Sequence, residues 1–245
     1  MIDELVNHRT YSKDYQLGLN LVDIIIEHNK KVEAEGHPEK ALNSKEILDN
    51  IVMFVMAGVE TSNSFARNCI YLLGKHPEYQ KELRKEVNKD IFSGEALYDD
   101  YLNSPYLENF LTEAFRILGP AWANFYARVY KNFKIGDYKV YKGTGIMLSF
   151  YTIQKKPENF DNPMKFDLAK YEDQKKIKEM KKYLLVPFGG GNRDCAGKNL
   201  AKMSISIFLS NLVKEFEIKE SSKPNPRSIG LACSVGHNYT KLRVV

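Results

Sequence analysis

Apolar residues recur with a helical period through most of the chain and with a strand period only in short stretches. From Tyr15 to about Ala34, Leu17, Leu19, Leu21, Val22, Ile24, Ile25 and Ile26 mark an amphipathic helix, stopped by Glu35-Gly36-His37-Pro38. A second helix is expected from Ser44 to about Lys75, with Asn43 as N-cap and Glu46 completing a capping box. His76-Pro77 separates it from a third helix reaching about Asp90. There Glu78, Glu82 and Glu86 alternate with Lys81 and Lys85, which reads as a solvated face without chemistry. Ser104 to Arg116 is again helical. Between Ala127 and Phe150 the period shortens to that of strands, with Gly136-Asp137 as a two-residue hairpin turn. Asn199 to Phe216 forms a last amphipathic helix, and Ser228 to Val245 reads as a β-hairpin. The fold class is mainly α with small β-sheets.

Composition narrows the function classes. A chain of 245 residues can bury a core as one or two domains. Its net charge of +5, from 36 Lys+Arg against 31 Asp+Glu, is too mild to imply nucleic acid. Cys69, Cys195 and Cys233 are odd in number and widely spaced, so they form no disulfide framework and fit a reducing compartment. Ile51 to Val59 is too short an apolar run to span a bilayer. Polar residues 1–14 carry no signal-peptide pattern.

The densest chemistry lies in Phe188-Gly189-Gly190-Gly191-Asn192-Arg193-Asp194-Cys195-Ala196-Gly197, just ahead of the last helix. Consecutive glycines open backbone conformations closed to other residues and let a ligand come close. A cysteine before a helix N-terminus is favoured as thiolate, a soft ligand for iron. Arg193 suits a carboxylate or phosphate. A phosphate-binding P-loop fails, because Asn192 stands where a glycine is needed and Asn199 where Ser or Thr is needed. A zinc site fails too, since no second Cys or His lies within ten residues of Cys195. A glycine turn with an incidental buried cysteine stays open. In the second helix, Gly58 costs up to about 1 kcal/mol against Ala and therefore needs a reason. Glu60 beside Thr61 in an apolar stretch must be solvated or paired. Glu113 and Arg116, at i and i+3, can pair, as many surface residues do.

Phe188-x-x-Gly191-x-Arg193-x-Cys195-x-Gly197 resembles the haem-binding signature of the cytochrome P-450 family at every fixed position. Ala57-Gly58-x-Glu60-Thr61-Ser62 resembles that family's oxygen-binding segment, and Glu113-x-x-Arg116 its structural Glu–Arg pair. The resemblance implies that the chain is the C-terminal, haem-binding part of the P-450 fold, a single haem domain over residues 1–245 whose N-terminal half is missing. Haem b (heme, iron protoporphyrin IX) is then bound through Cys195, with Phe188 beside the thiolate and Gly191 and Gly197 shaping the loop. Arg193 and Arg128 would bind the propionates. Gly58 would admit dioxygen, and the acid–alcohol pair Glu60 and Thr61 would relay protons toward it. Phe54, Ala57, Ala121 and Phe125 would line the substrate pocket. Trp122, in the same loop as Ala121 and Phe125, is expected in the core. Leu200, Met203, Ile207 and Leu212 should face the core or the haem edge, and the tip of the last hairpin around Ser234 to Asn238 the substrate.

The sequence departs from the family pattern at two places. Leu168-Ala169-Lys170-Tyr171 stands where Pro-Glu-Arg-Phe is expected, and Lys170 cannot form the bidentate bond that Arg would make to Glu113. Gln154 replaces a common propionate-binding His. The activity implied is a monooxygenase that inserts one oxygen atom of O2 into a small apolar substrate. Its electrons would come from NAD(P)H through a separate reductase. Lysines 175, 176, 178, 181 and 182 read as a solvated loop, or with Lys198 and Lys202 as a positive face for that reductase. The alternatives are a reductase-independent enzyme rearranging peroxides, against which Glu60-Thr61 argues, and a non-catalytic haem-binding fragment. A membrane anchor is not expected within this chain. The compartment stays open, the endoplasmic reticulum membrane being one setting for a longer parent.

Overall fold

The computed structural model describes residues 20–87, 104–124, 127–220, 227–229, 233–235 and 241–244. The chain divides into two compact units, residues 1–59 and 60–245.

In the first unit, helix α1 (Leu21–Ala34) starts from Asn20, whose side chain accepts the Asp23 N–H. Positions 15–19 of the expected helix lie outside the described residues. A 3-10 turn (Pro38–Lys40) leads to α2 (Ser44–Lys75), which opens on the expected capping box. Glu46 N–H donates to Asn43 Oδ1 at 3.0 Å, and Asn43 N–H to Glu46 Oε2 at 2.9 Å. The Asn29 amide donates to the Leu42 carbonyl and accepts the Leu42 N–H, fastening the turn to α1. Ile25, Ile26, Val32 and Ile47 form this unit's small core. From Val52 to Glu60, α2 is exposed at every position, Phe54, Ala57 and Gly58 included.

The second unit is built on the later part of α2, where Phe65, Cys69, Leu72 and Leu73 are buried. Around it stand α3 (Pro77–Val87), α4 (Pro105–Leu118) and α7 (Lys198–Glu215), contributing Leu83, Leu107, Phe110, Ala114, Leu209 and Val213 to one core. Two-stranded antiparallel sheets complete it among the described residues. Strand β1 (Ala127–Arg128) pairs with β4 (Gly145–Ile146), and β2 (Phe133–Ile135) with β3 (Tyr138–Val140) across the expected Gly136-Asp137 turn. After α5 (Phe150–Lys155) come a 3-10 turn (Leu168–Tyr171), α6 (Gln174–Tyr183) and the glycine-rich loop. No described helix is long and apolar enough to cross a membrane.

Four expectations are corrected, and the face of α7 is resolved further. The lysine-rich stretch is helix α6, not a loop, because Ile177 and Met180 share a face and bury with Phe160, Tyr171 and Leu185. The tail is not one hairpin. Strand β6 (Arg227–Ile229) pairs with β7 (Cys233–Val235), while β8 (Lys241–Val244) returns to β5 (Phe216–Lys219), which extends directly from α7. Helix α7 turns Ile205, Leu209 and Val213 inward and leaves Leu200 63% exposed; Leu212 packs at the edge of the core. Trp122 is 46% exposed, since its loop lies over α5 and binds it through the Trp122 carbonyl, which accepts the Tyr151 N–H. The α3 surface is partly structural. The Glu86 carboxylate accepts the Tyr106 and Leu107 N–H groups and so caps α4. Gln80 and Arg84 bind carbonyls of Leu73, Val213, Phe216 and Ile218.

Candidate functional site

Helix α4 exists as a helix because Leu107, Phe110, Leu111, Ala114 and Phe115 recur on one face. That periodicity also takes Glu113 and Arg116 inside, where both side chains are fully buried. Arg116 Nε donates to Glu113 Oε2 at 2.6 Å and Nη2 to Oε1 at 2.8 Å, a bidentate charge-assisted pair. The remaining guanidinium donors reach the carbonyls of Gln154 (3.0 Å), Pro163 (2.6 Å) and Lys165 (3.1 Å). Glu113 accepts the Asp167 N–H at 3.0 Å and the Tyr171 hydroxyl at 2.7 Å. Lys170 stands 3.6 Å from Glu113 Oε1. A buried ion pair offsets its desolvation only when such extra hydrogen bonds fill the remaining positions. Burial, and then the adjoining carboxylate, push the Tyr171 phenol well above its ordinary pKa. Beside the cluster, the Gln154 side chain is buried and its Nε2 has no hydrogen-bond partner.

The glycine-rich loop is the opposite kind of place. Gly189 and Gly191 both have φ of +76°, a conformation open to glycine and costly for any side chain. A single 3-10 turn (Gly191–Arg193) then delivers Cys195, whose N–H donates to the Phe188 carbonyl at 2.9 Å. The Cys195 thiol is exposed and undisulfided, which removes the incidental buried cysteine as a reading. Phe188 anchors the loop: its ring meets Phe115 edge-on at 4.9 Å, and Phe115 stacks on Phe65 at 3.7 Å. Lys198 pairs with Asp194 at 2.6 Å, and Lys202 lies 6.0 Å from the Phe188 ring centre. Beyond the adjoining residues, no atom stands within 4 Å of where a Cβ would be at Gly190, Gly191 or Gly197. A soft sulfur donor in solvent, an exposed arginine two residues away and a loop face clear of side chains fit the haem that the resemblance implies. By contrast, Cys69 is fully buried and its thiol pKa is raised by that burial.

The other expected site residues occupy separate elements. Glu60, exposed, and Thr61, half-buried, follow one another on α2. Arg128 is exposed on β1, paired with Gly145. Ala121 is half-buried in the loop after α4, and Phe125 lies outside the described residues, as does the 236–238 part of the last hairpin tip. Of the lysines, Lys181 pairs with Glu108 and Lys182 with Glu179, so they are partly neutralised, whereas Lys175, Lys178 and Lys202 are exposed. Sequence reasoning missed the partners of Glu113, namely Tyr171 and the Asp167 N–H. No spacing rule links positions 54 and 58 residues apart.

Comparison with known proteins gives a consistent picture. A family model described as Cytochrome P450 matches residues 1–241. The cyclooctat-9-en-7-ol 5-monooxygenase of Streptomyces melanosporofaciens is 28% identical over 221 residues, covering 89% of this chain and 46% of that protein. The beta-amyrin 6-beta-monooxygenase of Solanum lycopersicum is 31% identical over 207 residues, covering 83% and 42%. The chain thus spans under half the length of these relatives. Among solved structures, the cytochrome P450DA heme domain superposes with a TM-score of 0.82 at 21% identity. That match covers 100% of this chain and 52% of the other, and it establishes the fold.

Proposed function

The chain belongs to the cytochrome P450 family, and from that premise we propose that it forms the haem-binding part of a monooxygenase acting on a small apolar substrate. Cys195 holds the iron through its thiolate, Arg193 and Arg128 take the propionates, and Phe188 shields the sulfur. Gly191 and Gly197 let the ring approach the backbone. Haem bound in this way supplies the activation of O2, with electron density from the sulfur favouring O–O cleavage. The residues of the chain manage protons and polarity around it. Thr61 Oγ1 would pass a proton toward dioxygen beside Gly58, and the exposed Glu60 carboxyl would return one to Thr61 and recover its own from solvent, as positioned acid groups do. Phe54, Ala57, Ala121 and Phe125 favour an apolar substrate. Electrons come from NAD(P)H through a separate reductase, for which exposed Lys175, Lys178 and Lys202 offer positive charge.

The observation that carries this reading is Cys195: an exposed cysteine at the end of a loop in which Gly189 and Gly191 hold left-handed conformations. Its test is oxygen labelling. The haem-loaded chain is supplied with NADPH, a P450 reductase and cyclooctat-9-en-7-ol or β-amyrin under isotopically labelled O2. One labelled atom in a hydroxylated product is expected. Product formed without an electron donor, or carrying oxygen from water, contradicts the proposal.

A further inference from the structure

Glu113 is a carboxylate with no solvent, so each of its acceptor positions has to be filled from within the protein. Arg116 fills two and the Asp167 N–H a third. The fourth partner is the Tyr171 hydroxyl, 2.7 Å from Oε2. Lys170, the second cation of the cluster, does not compete for that position. It stays 3.6 Å from Oε1, is 14% exposed, and gives its hydrogen bond at 3.2 Å to the Lys165 carbonyl, which Arg116 also reaches. An arginine in place of Lys170 would present a planar fork to the carboxylate; an ammonium presents a point charge. Two of the departures in Leu168-Ala169-Lys170-Tyr171, at 170 and 171, therefore meet on one side chain, one removing a donor fork and the other adding a hydroxyl.

We propose that Tyr171 is a positioning residue that makes, through its phenol hydroxyl, the hydrogen bond to Glu113 that Lys170 leaves unmade, so that positions 170 and 171 act as a coupled pair. Tyr171 is 1% exposed, and its phenol faces Glu113 and Arg116. Burial and the neighbouring carboxylate keep its proton in place, so it remains a donor at physiological pH. What it positions is α4. That helix carries Phe115 against Phe188, and the Phe188 carbonyl takes the Cys195 N–H. The hydroxyl thus holds the helix on which the glycine-rich loop leans.

A four-way cycle in the full chain, with no haem added, tests this independently of the proposed activity: wild type, Tyr171→Phe, Lys170→Arg and the double variant, each unfolded in urea and followed by circular dichroism. Tyr171→Phe is expected to lower the folding equilibrium constant about tenfold or more in the natural chain, and about threefold or less in the Lys170→Arg background. A purely independent structural contact predicts equal losses in both backgrounds, and that result, or no loss in either, overturns the proposal. Should Tyr171→Phe leave too little folded chain to measure, Lys170→Met decides. A folded Lys170→Met chain supports the hydroxyl as the partner that Glu113 needs, and an unfolded one overturns it.

Discussion

At Glu113 and Arg116 the hydrogen-bonding positions are filled inside the protein, whereas at Cys195, reached through Phe115 and Phe188, the thiol faces solvent. The cluster is built of charge yet fully buried; the loop is built of glycine and exposed. A buried charge tolerates no vacancy, so the cluster can serve as scaffold and has nothing left to bind with. A loop whose glycines clear its face and whose one soft donor is uncovered contributes little to stability and is free to take a ligand. Chemistry-bearing residue types alone therefore do not locate a site: Glu113 and Arg116 look as reactive as Arg193 and Cys195 until burial separates them.

The comparison breaks most readily at Arg116. Arg116→Ala leaves the buried Glu113 carboxylate with only Lys170, 3.6 Å away, as a cation and takes their guanidinium donor from the Gln154 and Pro163 carbonyls, a loss of about 3–5 kcal/mol. Since whole domains are stable by only about 5–15 kcal/mol, thermal unfolding should show the cooperative transition lost or greatly lowered. A loss under about 1 kcal/mol, the range of a surface pair, would deny the cluster its role as scaffold. Smaller effects sharpen the loop side. Gly191→Ala forces a side chain to φ +76° and should cost about 1–2 kcal/mol. Gly190→Ala, at an extended φ of −161° with open space around it, should stay within about 0.5 kcal/mol. Equal costs at the two positions would mean that the loop is not held in this conformation.

Alkaline titration probes the cluster from another side. Tyr171 has a raised pKa in the folded chain, and Tyr106 is pushed up to about 12, by burial first in both cases. Above the ordinary tyrosine value of about 10, the unfolded chain releases protons that the folded chain keeps. Stability therefore begins to fall above pH ~8.5 through the buried Cys69 thiol, and beyond pH ~10 by about a further 1 kcal/mol per pH unit for Tyr171. Urea midpoints measured between pH 9 and 11 should show that fall flattened in Tyr171→Phe, with Cys69, Tyr79 and Tyr106 supplying what remains. An unchanged slope would place the Tyr171 proton in contact with solvent.

Local signals were legible where both partners lie close in sequence. The Asn43–Glu46 box and the Gly136-Asp137 hairpin turn formed as read, since each is decided within a few residues. The match of the Cys195 loop to a known signature likewise pointed to the family whose fold the chain adopts. The fully buried face of α7 was not singled out because Leu200, Met203, Ile205, Ile207, Phe208, Leu209, Leu212 and Val213 nearly encircle the helix, and only tertiary packing chooses among them. Helix α6 was hidden by its lysines, with Ile177 and Met180 as its sparse apolar stripe. Long-range polar partners left no trace: Glu86 on α4, Gln80 on β5 and Tyr171 on Glu113 join residues 20 to 138 positions apart. The E-x-x-R spacing is the same for a surface pair worth tenths of a kcal/mol as for this buried one.

Haem titration of the full chain and its Cys195→Ser variant tests the account most directly, with the absorption of the reduced, carbon monoxide-bound form as readout. Serine at this exposed position should change stability by no more than about 0.5 kcal/mol, leaving the circular dichroism spectrum intact. The account predicts a thiolate-type, red-shifted Soret band for the natural chain and its loss in the serine variant. The same band in both chains, or in neither, would contradict it.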